Sequence, residues 1–166
     1  MQRAEGAGGG GPERRQKGAR PRGRVAPPPK ILVVDDDPDI VRATRLVLEA
    51  QGYRVVSAAS AAEGKRALAA ERPDLILLDV MMPTGTEGFH FVWDLRNDPD
   101  PARRDTPIVV MSAIHRTTDL RLYPEEADQE YAPGEFLPVQ AFLDKPVDLS
   151  ELVHVVQNVL AGRRHA

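Results

Sequence analysis

The chain has 166 residues, 22 Lys and Arg, 25 Asp and Glu, and a formal net charge of −3, which suits one domain. It contains no cysteine, which excludes disulfides and thiolate metal sites. No apolar run approaches the about 20 residues that a membrane-spanning helix needs, so a cytoplasmic protein is expected.

Charge and composition divide the chain into two parts. Residues 1–30 hold eight Lys or Arg and two acids, with a glycine-rich run at 6–11 and three prolines at 27–29. Such a segment buries too little apolar surface to offset its conformational entropy. We expect a disordered basic tail over 1–29, or alternatively an arm that binds nucleic acid or an acidic partner. The predicted folded domain, 30–163, is acidic.

Apolar runs typical of buried strands alternate along the chain with stretches of helical spacing. The predicted strands are 31–34, 53–58, 75–80, 108–112 and 140–144. The predicted helices are 40–52, 61–72, 87–96 and 149–164. This alternation predicts a doubly wound α/β fold, in which a five-stranded parallel sheet carries helices on both faces.

Capping residues support the predicted helix starts. Asp37 stands before a proline, as an N-cap does before the first helical position. Ser60 with Glu63, and Asp148 with Glu151, have the spacing of capping boxes. These signals predict where the first, second and last helices begin.

The stretch 116–139 interrupts the alternation. It holds three prolines and six acidic residues. Because a helix does not run through interior prolines, we expect the fourth helix of the fold to be shortened to about 117–123 or replaced by a long loop.

Polar side chains follow four of the predicted strands. Asp35 and Asp36 come after the first strand, Asp79 comes in the third, Ser112 ends the fourth, and Lys145 follows the fifth. The carboxyl ends of parallel strands meet at one edge of the sheet, where ligands of such folds bind. Each residue alone also suits a helix cap, a turn or a solvated loop, but their joint arrangement predicts one site.

Three converging carboxylates need a cation, because like charges about 4 Å apart repel by about 4 kcal/mol per pair at an effective dielectric constant near 20. Hard oxygen ligands without His or Cys favour Mg²⁺. Lys145 adds a fixed positive charge and Ser112 a hydroxyl donor. Together they could hold a phosphoryl group, with a carboxylate as nucleophile.

The sequence resembles the receiver domain of bacterial two-component response regulators. The motifs that carry the resemblance are VDD at 34–36, LLDVMMP at 77–83, MSA at 111–113 and KP at 145–146, within a match over about 31–162. The resemblance implies a flavodoxin-like fold with strand order 2-1-3-4-5, as in stand-alone regulators of the chemotaxis type.

The resemblance also implies a role for each acidic residue. Asp79 would be the phospho-acceptor. Asp36 and Asp79, together with the backbone carbonyl of Met81, would bind Mg²⁺, and Asp35 would act in the same acidic pocket through water.

Three further residues match positions that sense the phosphoryl group in this family. Ser112 and Lys145 would hold its oxygens. Phe142 occupies the aromatic switch position and has no hydroxyl here. The bond between Lys145 and Pro146 is commonly cis in the family.

A receiver would take its phosphoryl group from a sensor histidine kinase or a phosphotransfer protein, and a downstream protein would read its changed surface. It would be no enzyme beyond self-catalysed phosphoryl transfer and hydrolysis. Few residues follow Lys145, so we expect a stand-alone receiver in which neither DNA binding nor membrane association plays a part.

Two departures from the family and two alternatives remain. Four residues separate Pro83 from Gly88, one more than usual, and the stretch between Ser112 and Lys145 is longer than usual. The first alternative is a receiver-like interaction module that is never phosphorylated. The second is a phosphatase of the haloacid dehalogenase type, in which an Asp-x-Asp motif would include Asp37.

Overall fold

The structure is a computed structural model, and the residues that it describes are 26–83, 85–113 and 137–163. Most of the predicted basic tail therefore lies outside the described residues, as does most of the stretch in which we expect a shortened fourth helix or a loop. In chain order the elements are β1 (Lys30–Val34), α1 (Pro38–Ala50), β2 (Arg54–Ala58), α2 (Ala61–Glu71), β3 (Leu75–Asp79), α3 (Glu87–Arg96), α4 (Pro101–Arg104), β4 (Ile108–Ser112), β5 (Ala141–Asp144) and α5 (Leu149–Arg163).

The five strands form one parallel sheet in the order β2-β1-β3-β4-β5. This confirms the predicted strand order and the parallel sheet. In the register, Asp79 pairs with Met111 and Ser112 pairs with Asp144. The carboxyl ends of β3, β4 and β5 consequently lie side by side at one edge.

Both faces of the sheet are covered, which explains why the central strands are apolar throughout. On one face Leu32 and Ile76 belong to a core cluster that includes Phe91 of α3. On the other face Ile31 belongs to a second cluster that includes Leu152 of α5. Burying each such side chain contributes about 1.5–3 kcal/mol to folding, so the sheet is a rigid support for residues at its edge.

The capping predictions are confirmed. Asp37 accepts hydrogen bonds from the first turn of α1. The Glu63 amide donates to Ser60 Oγ at 3.2 Å, and the Glu151 amide donates to Asp148 Oδ1 at 2.9 Å. Each oxygen satisfies backbone donors that a helix leaves unpaired at its start.

The short helix α4 was not among the predicted elements, although its signals are local. Asp100 caps it by accepting from the Ala102 amide at 3.0 Å, and Pro101 is its first residue. An N-cap Asp followed by Pro also marks the start of α1, at Asp37 and Pro38. Within the described residues, no helix is both long and apolar enough to cross a bilayer.

The buried face of α3 is set by its neighbour and not by apolar spacing alone. Phe89 and Trp93 lie four residues apart, yet Trp93 is 38% exposed while Phe91 is 1% exposed. The reason is the neighbouring helix α2, where a Cβ added to Gly64 would lie 3.1 Å from the Phe91 ring. The missing side chain at Gly64 makes room for Phe91, and α3 turns that residue inward.

Candidate functional site

The site lies at the carboxyl edge of the sheet, where β1, β3 and the segment after β5 meet. Asp35 follows β1 and is 1% exposed, and Asp79 ends β3 and is 4% exposed. The Lys145 ammonium donates to Asp35 Oδ2 at 2.8 Å and to Asp79 Oδ2 at 3.0 Å. One ammonium therefore bridges two buried carboxylates that come from different strands.

Backbone amides hold the second oxygen of each buried carboxylate. The Asp37 N–H donates to Asp35 Oδ1 at 2.9 Å, and the Met81 N–H donates to Asp79 Oδ1 at 2.8 Å. Each carboxylate thus accepts one hydrogen bond from a backbone amide and one from the Lys145 ammonium. Both side chains are oriented before any ligand arrives.

Asp36 completes a group of three carboxylates. One oxygen from each of Asp35, Asp36 and Asp79 lies within 4.8 Å of the others, and Asp36 alone of the three is exposed. Three hard oxygen donors without nitrogen or sulfur suit Mg²⁺, which keeps several waters and is bound through one or two carboxylates. The residues present therefore fit such an ion, with an open side at Asp36 for water.

Electrostatics separate the roles of the buried charges. Burial raises the pKa of Asp35, and the hydrogen bonds from Lys145 and Asp37 offset this only in part. Burial also opposes the charge on Lys145, but its hydrogen bonds to Asp35 and Asp79 and the charges of these carboxylates outweigh that cost and raise its pKa. Lys145 therefore remains a positive charge at neutral pH.

Ser112 and Phe142 lie on the two strands beside the carboxylates. Ser112 is buried at the end of β4, and its carbonyl accepts the Lys145 N–H at 3.1 Å. Phe142 lies on β5, is partly buried, and packs against the core cluster that contains Phe91. The Lys145–Pro146 peptide bond is cis, as the resemblance implies.

The loop after Asp79 is held by two glycines. Gly85 has a φ of +74°, in the left-handed region that favours glycine, and its N–H donates to the Met82 carbonyl at 2.7 Å. Gly88, in the first turn of α3, lies directly against the backbone of Asp79 and Val80. The spacing between Pro83 and Gly88 does not by itself predict this contact, which depends on how α3 packs against the end of β3.

Asp37 does not join the three carboxylates. Its side chain accepts from the amides of Asp39 at 2.9 Å and Ile40 at 3.4 Å, which caps α1. An Asp-x-Asp motif of the phosphatase type would need this carboxylate in the site, whereas the structure gives that place to Asp36.

A comparison with sequence models of protein families identifies the family of this chain. The sequence model of the response regulator receiver domain matches residues 31–157. The chain belongs to this family. Receiver domains are signal transducers of two-component systems, and nothing in the comparisons favours the phosphatase alternative.

Relatives and solved structures agree with this membership. The chain is 29% identical to protein PilH of Pseudomonas aeruginosa over 133 residues, which are 80% of this chain and 98% of PilH. It is 36% identical to the response regulator Rre1 of Synechocystis over 142 residues, which are 84% of this chain and 55% of Rre1. The chain thus spans nearly all of PilH and about half the length of Rre1.

Two solved structures show the same fold. A sensor protein from Polaromonas superposes with a TM-score of 0.64 at 30% identity, over 81% of this chain and 97% of that one. The chemotaxis response regulator CheY4 of Vibrio cholerae superposes with a TM-score of 0.61 at 27% identity, over 80% of this chain and 98% of that one.

Proposed function

We propose that this receiver accepts a phosphoryl group on Asp79 from a histidine kinase or phosphotransfer protein in the cytoplasm. The observation that carries the proposal is the Lys145 ammonium, which bridges Asp35 and Asp79 while Asp36 lies beside them. A buried carboxylate with a fixed cation and an acidic pocket is suited to phosphoryl transfer, in which positioning and charge stabilisation provide most of the catalysis.

The three carboxylates and the Met81 carbonyl would hold Mg²⁺. When bound, the ion would neutralise the acidic pocket and the charge that develops on the phosphoryl oxygens. This agrees with the chemistry of the donor set and leaves the exposed Asp36 side open to solvent.

Asp79 is the nucleophile in this proposal. Its carboxylate oxygen forms a bond to phosphorus while the phosphorus–nitrogen bond of the donor phosphohistidine breaks, and the imidazole keeps the electron pair. The Met81 amide orients the Asp79 carboxylate. Lys145 already lies at this carboxylate and would bind a phosphoryl oxygen, and the Ser112 hydroxyl would bind another.

The same step would change the surface that a downstream protein reads. Ser112 would move toward the new oxygens, and Phe142, which lies at the margin of the core, would turn into the space that becomes free. In this proposal the protein catalyses only the phosphorylation of Asp79 and the hydrolysis of the resulting aspartyl phosphate. Phosphorylation is thus a local change of charge that would shift the equilibrium between two conformations of this surface.

Labelling with a small phosphodonor tests the proposal. Wild-type protein with acetyl phosphate and Mg²⁺ should gain the mass of one phosphoryl group, and the gain should be stable in acid and lost in base. Asp79→Asn should remove the gain, because an amide cannot act as the nucleophile, and EDTA should prevent it. Asp94→Asn is the matched control, since Asp94 lies on α3 in an exposed ion pair with Lys65.

Each outcome has a defined meaning. A wild type that gains no mass under these conditions would contradict phosphorylation and favour an interaction module that is never phosphorylated. A gain that survives in Asp79→Asn would contradict the choice of the acceptor.

A second prediction separates Asp37 from the chemistry. Asp37→Ala should lower the free energy of unfolding by about 1 kcal/mol, the usual cost of a lost N-cap, and leave the labelling rate unchanged. The amide of residue 37, which bonds Asp35, survives the substitution. Urea denaturation and intact-mass kinetics measure the two effects, with Asp37→Ser as the variant that keeps a capping oxygen. A large drop in labelling in Asp37→Ala would revive the Asp-x-Asp interpretation.

A further inference from the structure

Arg96, the last residue of α3, lies at the amino edge of the sheet, opposite the phosphorylation site. Its Nε donates to the Pro138 carbonyl at 2.9 Å, and its Nη1 donates to the carbonyls of Arg104 at 2.7 Å and Thr106 at 2.8 Å. Its Nη2 donates to Gln140 Oε1 at 3.2 Å. One guanidinium thus joins the stretch before β4 to the stretch before β5.

Gln140 strengthens the same junction. Its side-chain Oε1 also accepts the Ile108 N–H at 2.6 Å, and the backbone N–H of Gln140 donates to the Ile108 carbonyl at 2.9 Å. Leu137, which precedes it, is buried in the core cluster of Phe91. The amino ends of β4 and β5 are therefore joined by a backbone hydrogen bond, by the Gln140 side-chain amide and by the Arg96 guanidinium.

The fixed geometry of arginine matters at this place. Burial lowers the pKa of Arg96, and Asp105 counteracts the shift, yet the group stays charged because a guanidinium does not lose its proton in proteins. Its planar fork presents donors in fixed directions, whereas a lysine offers one compact charge. The hydrogen bonds that surround this side chain use four of its five N–H donors.

The opposite ends of these two strands carry the residues that sense the phosphoryl group. Ser112 ends β4, and Lys145 directly follows β5. Each strand spans about 15 Å and pairs with the other along its length. The chain between β4 and β5 begins directly after Ser112 and returns to the sheet at the amino end of β5, where Arg96 bonds Pro138 and Gln140.

We propose that Arg96 is a positioning residue of the switch, which fixes the amino ends of β4 and β5 while their carboxyl ends respond to the phosphoryl group. The inference rests on the proposed function. When the carboxyl end of a strand moves, either the whole strand shifts or the strand bends near that end. Hydrogen bonds that fix the amino end of the strand favour bending. The displacement at Ser112 is then confined to the carboxyl edge of the sheet and to Phe142.

Amide hydrogen exchange measured by NMR tests this role. Wild type, Arg96→Lys and Arg163→Lys are compared with and without Mg²⁺ and beryllofluoride, a stable analogue of aspartyl phosphate. Arg163→Lys is the matched control, since Arg163 also donates to a carbonyl at the amino edge, that of Asp74, at 2.7 Å. Intact mass after acetyl phosphate treatment is recorded for every variant.

In wild type and Arg163→Lys, beryllofluoride should alter exchange around Phe142 and leave the amides of Ile108 and Gln140 slow. In Arg96→Lys these two amides should exchange at least about tenfold faster, because hydrogen bonds to a charged group are lost. The beryllofluoride response should then extend to Gln140. A role in stability alone would speed exchange without moving the site of the ligand response.

The outcomes distinguish this inference from the proposed function. A wild type that neither gains phosphoryl mass nor responds to beryllofluoride would overturn both. Normal labelling together with a response that stays at Phe142 in Arg96→Lys would overturn the inference alone. If Arg96→Lys does not fold, Gln140→Leu, which removes one of the four acceptors, serves as the variant. Because it also removes the acceptor of the Ile108 N–H, only the spread of the beryllofluoride response to the amide of residue 140 is then compared with wild type.

Discussion

Gly88→Ala is expected to lower the free energy of unfolding by about 3 kcal/mol, at the upper end of the usual cost of overpacking, and to slow the labelling of Asp79. A Cβ at Gly88 would lie 2.3 Å from Val80 Cα and 2.8 Å from the Asp79 carbonyl oxygen. Both neighbours are backbone atoms of the chain at the end of β3, so no side chain can turn aside. The first turn of α3 must move away from the phospho-acceptor.

Gly162→Ala is the matched control for this substitution. Gly162 lies in α5, and nothing lies within 4 Å of the Cβ that alanine would add. Because alanine favours a helix over glycine by up to about 1 kcal/mol, this variant should be as stable as wild type or more so. Urea denaturation measures both variants. Equal stability of the two would contradict the close contact between α3 and the end of β3.

The second large effect is expected for Lys145→Met in the absence of divalent ions. The substitution leaves Asp35 and Asp79 as buried carboxylates without their cation. Removing one partner of a buried ion pair costs about 3–5 kcal/mol, so we expect a loss of about 3 kcal/mol in the free energy of unfolding. When Mg²⁺ is present, labelling of Asp79 should also be slower than in wild type, because the ammonium that would bind a phosphoryl oxygen is missing.

Mg²⁺ should reverse part of this loss. In wild type the ion would bind beside the Lys145 ammonium, whereas in Lys145→Met it would bind three carboxylates without a competing charge. Mg²⁺ should therefore raise the melting temperature of Lys145→Met more than that of wild type, by the mass-action stabilisation that a ligand of the folded state provides. Differential scanning calorimetry across a Mg²⁺ series measures this difference.

Lys65→Met is the control with the same change of side chain. Lys65 pairs with Asp94 at the surface, and exposed pairs contribute about 0–1 kcal/mol. Its melting temperature should change little and should depend on Mg²⁺ as in wild type. An equal response of Lys65→Met and Lys145→Met to Mg²⁺ would contradict a Mg²⁺ site at which the Lys145 ammonium competes with the ion.

The site could be predicted from sequence because its residues follow strands. A continuous apolar run identifies a strand buried on both faces, and the residue after it must lie at an edge of the sheet. Asp35, Asp79 and Lys145 were found in this way, and their hydrogen bonds follow from the strand order. Their assigned roles in phosphorylation remain predictions until the labelling experiments are done.

Contacts between helices and the sheet could not be predicted in the same way. The approach of Gly88 to Val80, the exposure of Trp93 and the acceptors of Arg96 all join residues from different layers. Local spacing gives the face of a helix only approximately, while the packing of its neighbour sets the final rotation. A guanidinium reaches several partners, and which carbonyls surround it depends on where loops end.

By itself the sequence therefore determined the chain order of the five strands and of α1, α2, α3 and α5, the caps of α1, α2 and α5, and the residues at the carboxyl edge, because periodicity and capping are local properties of the chain. Tertiary structure alone decided that Gly88 lies against the backbone of Asp79 and Val80, and that Arg96 joins the amino ends of β4 and β5. The physical reason is that the packing of α3 against the end of β3 sets which atoms Gly88 meets. The acceptors of Arg96 come together only when distant segments pack.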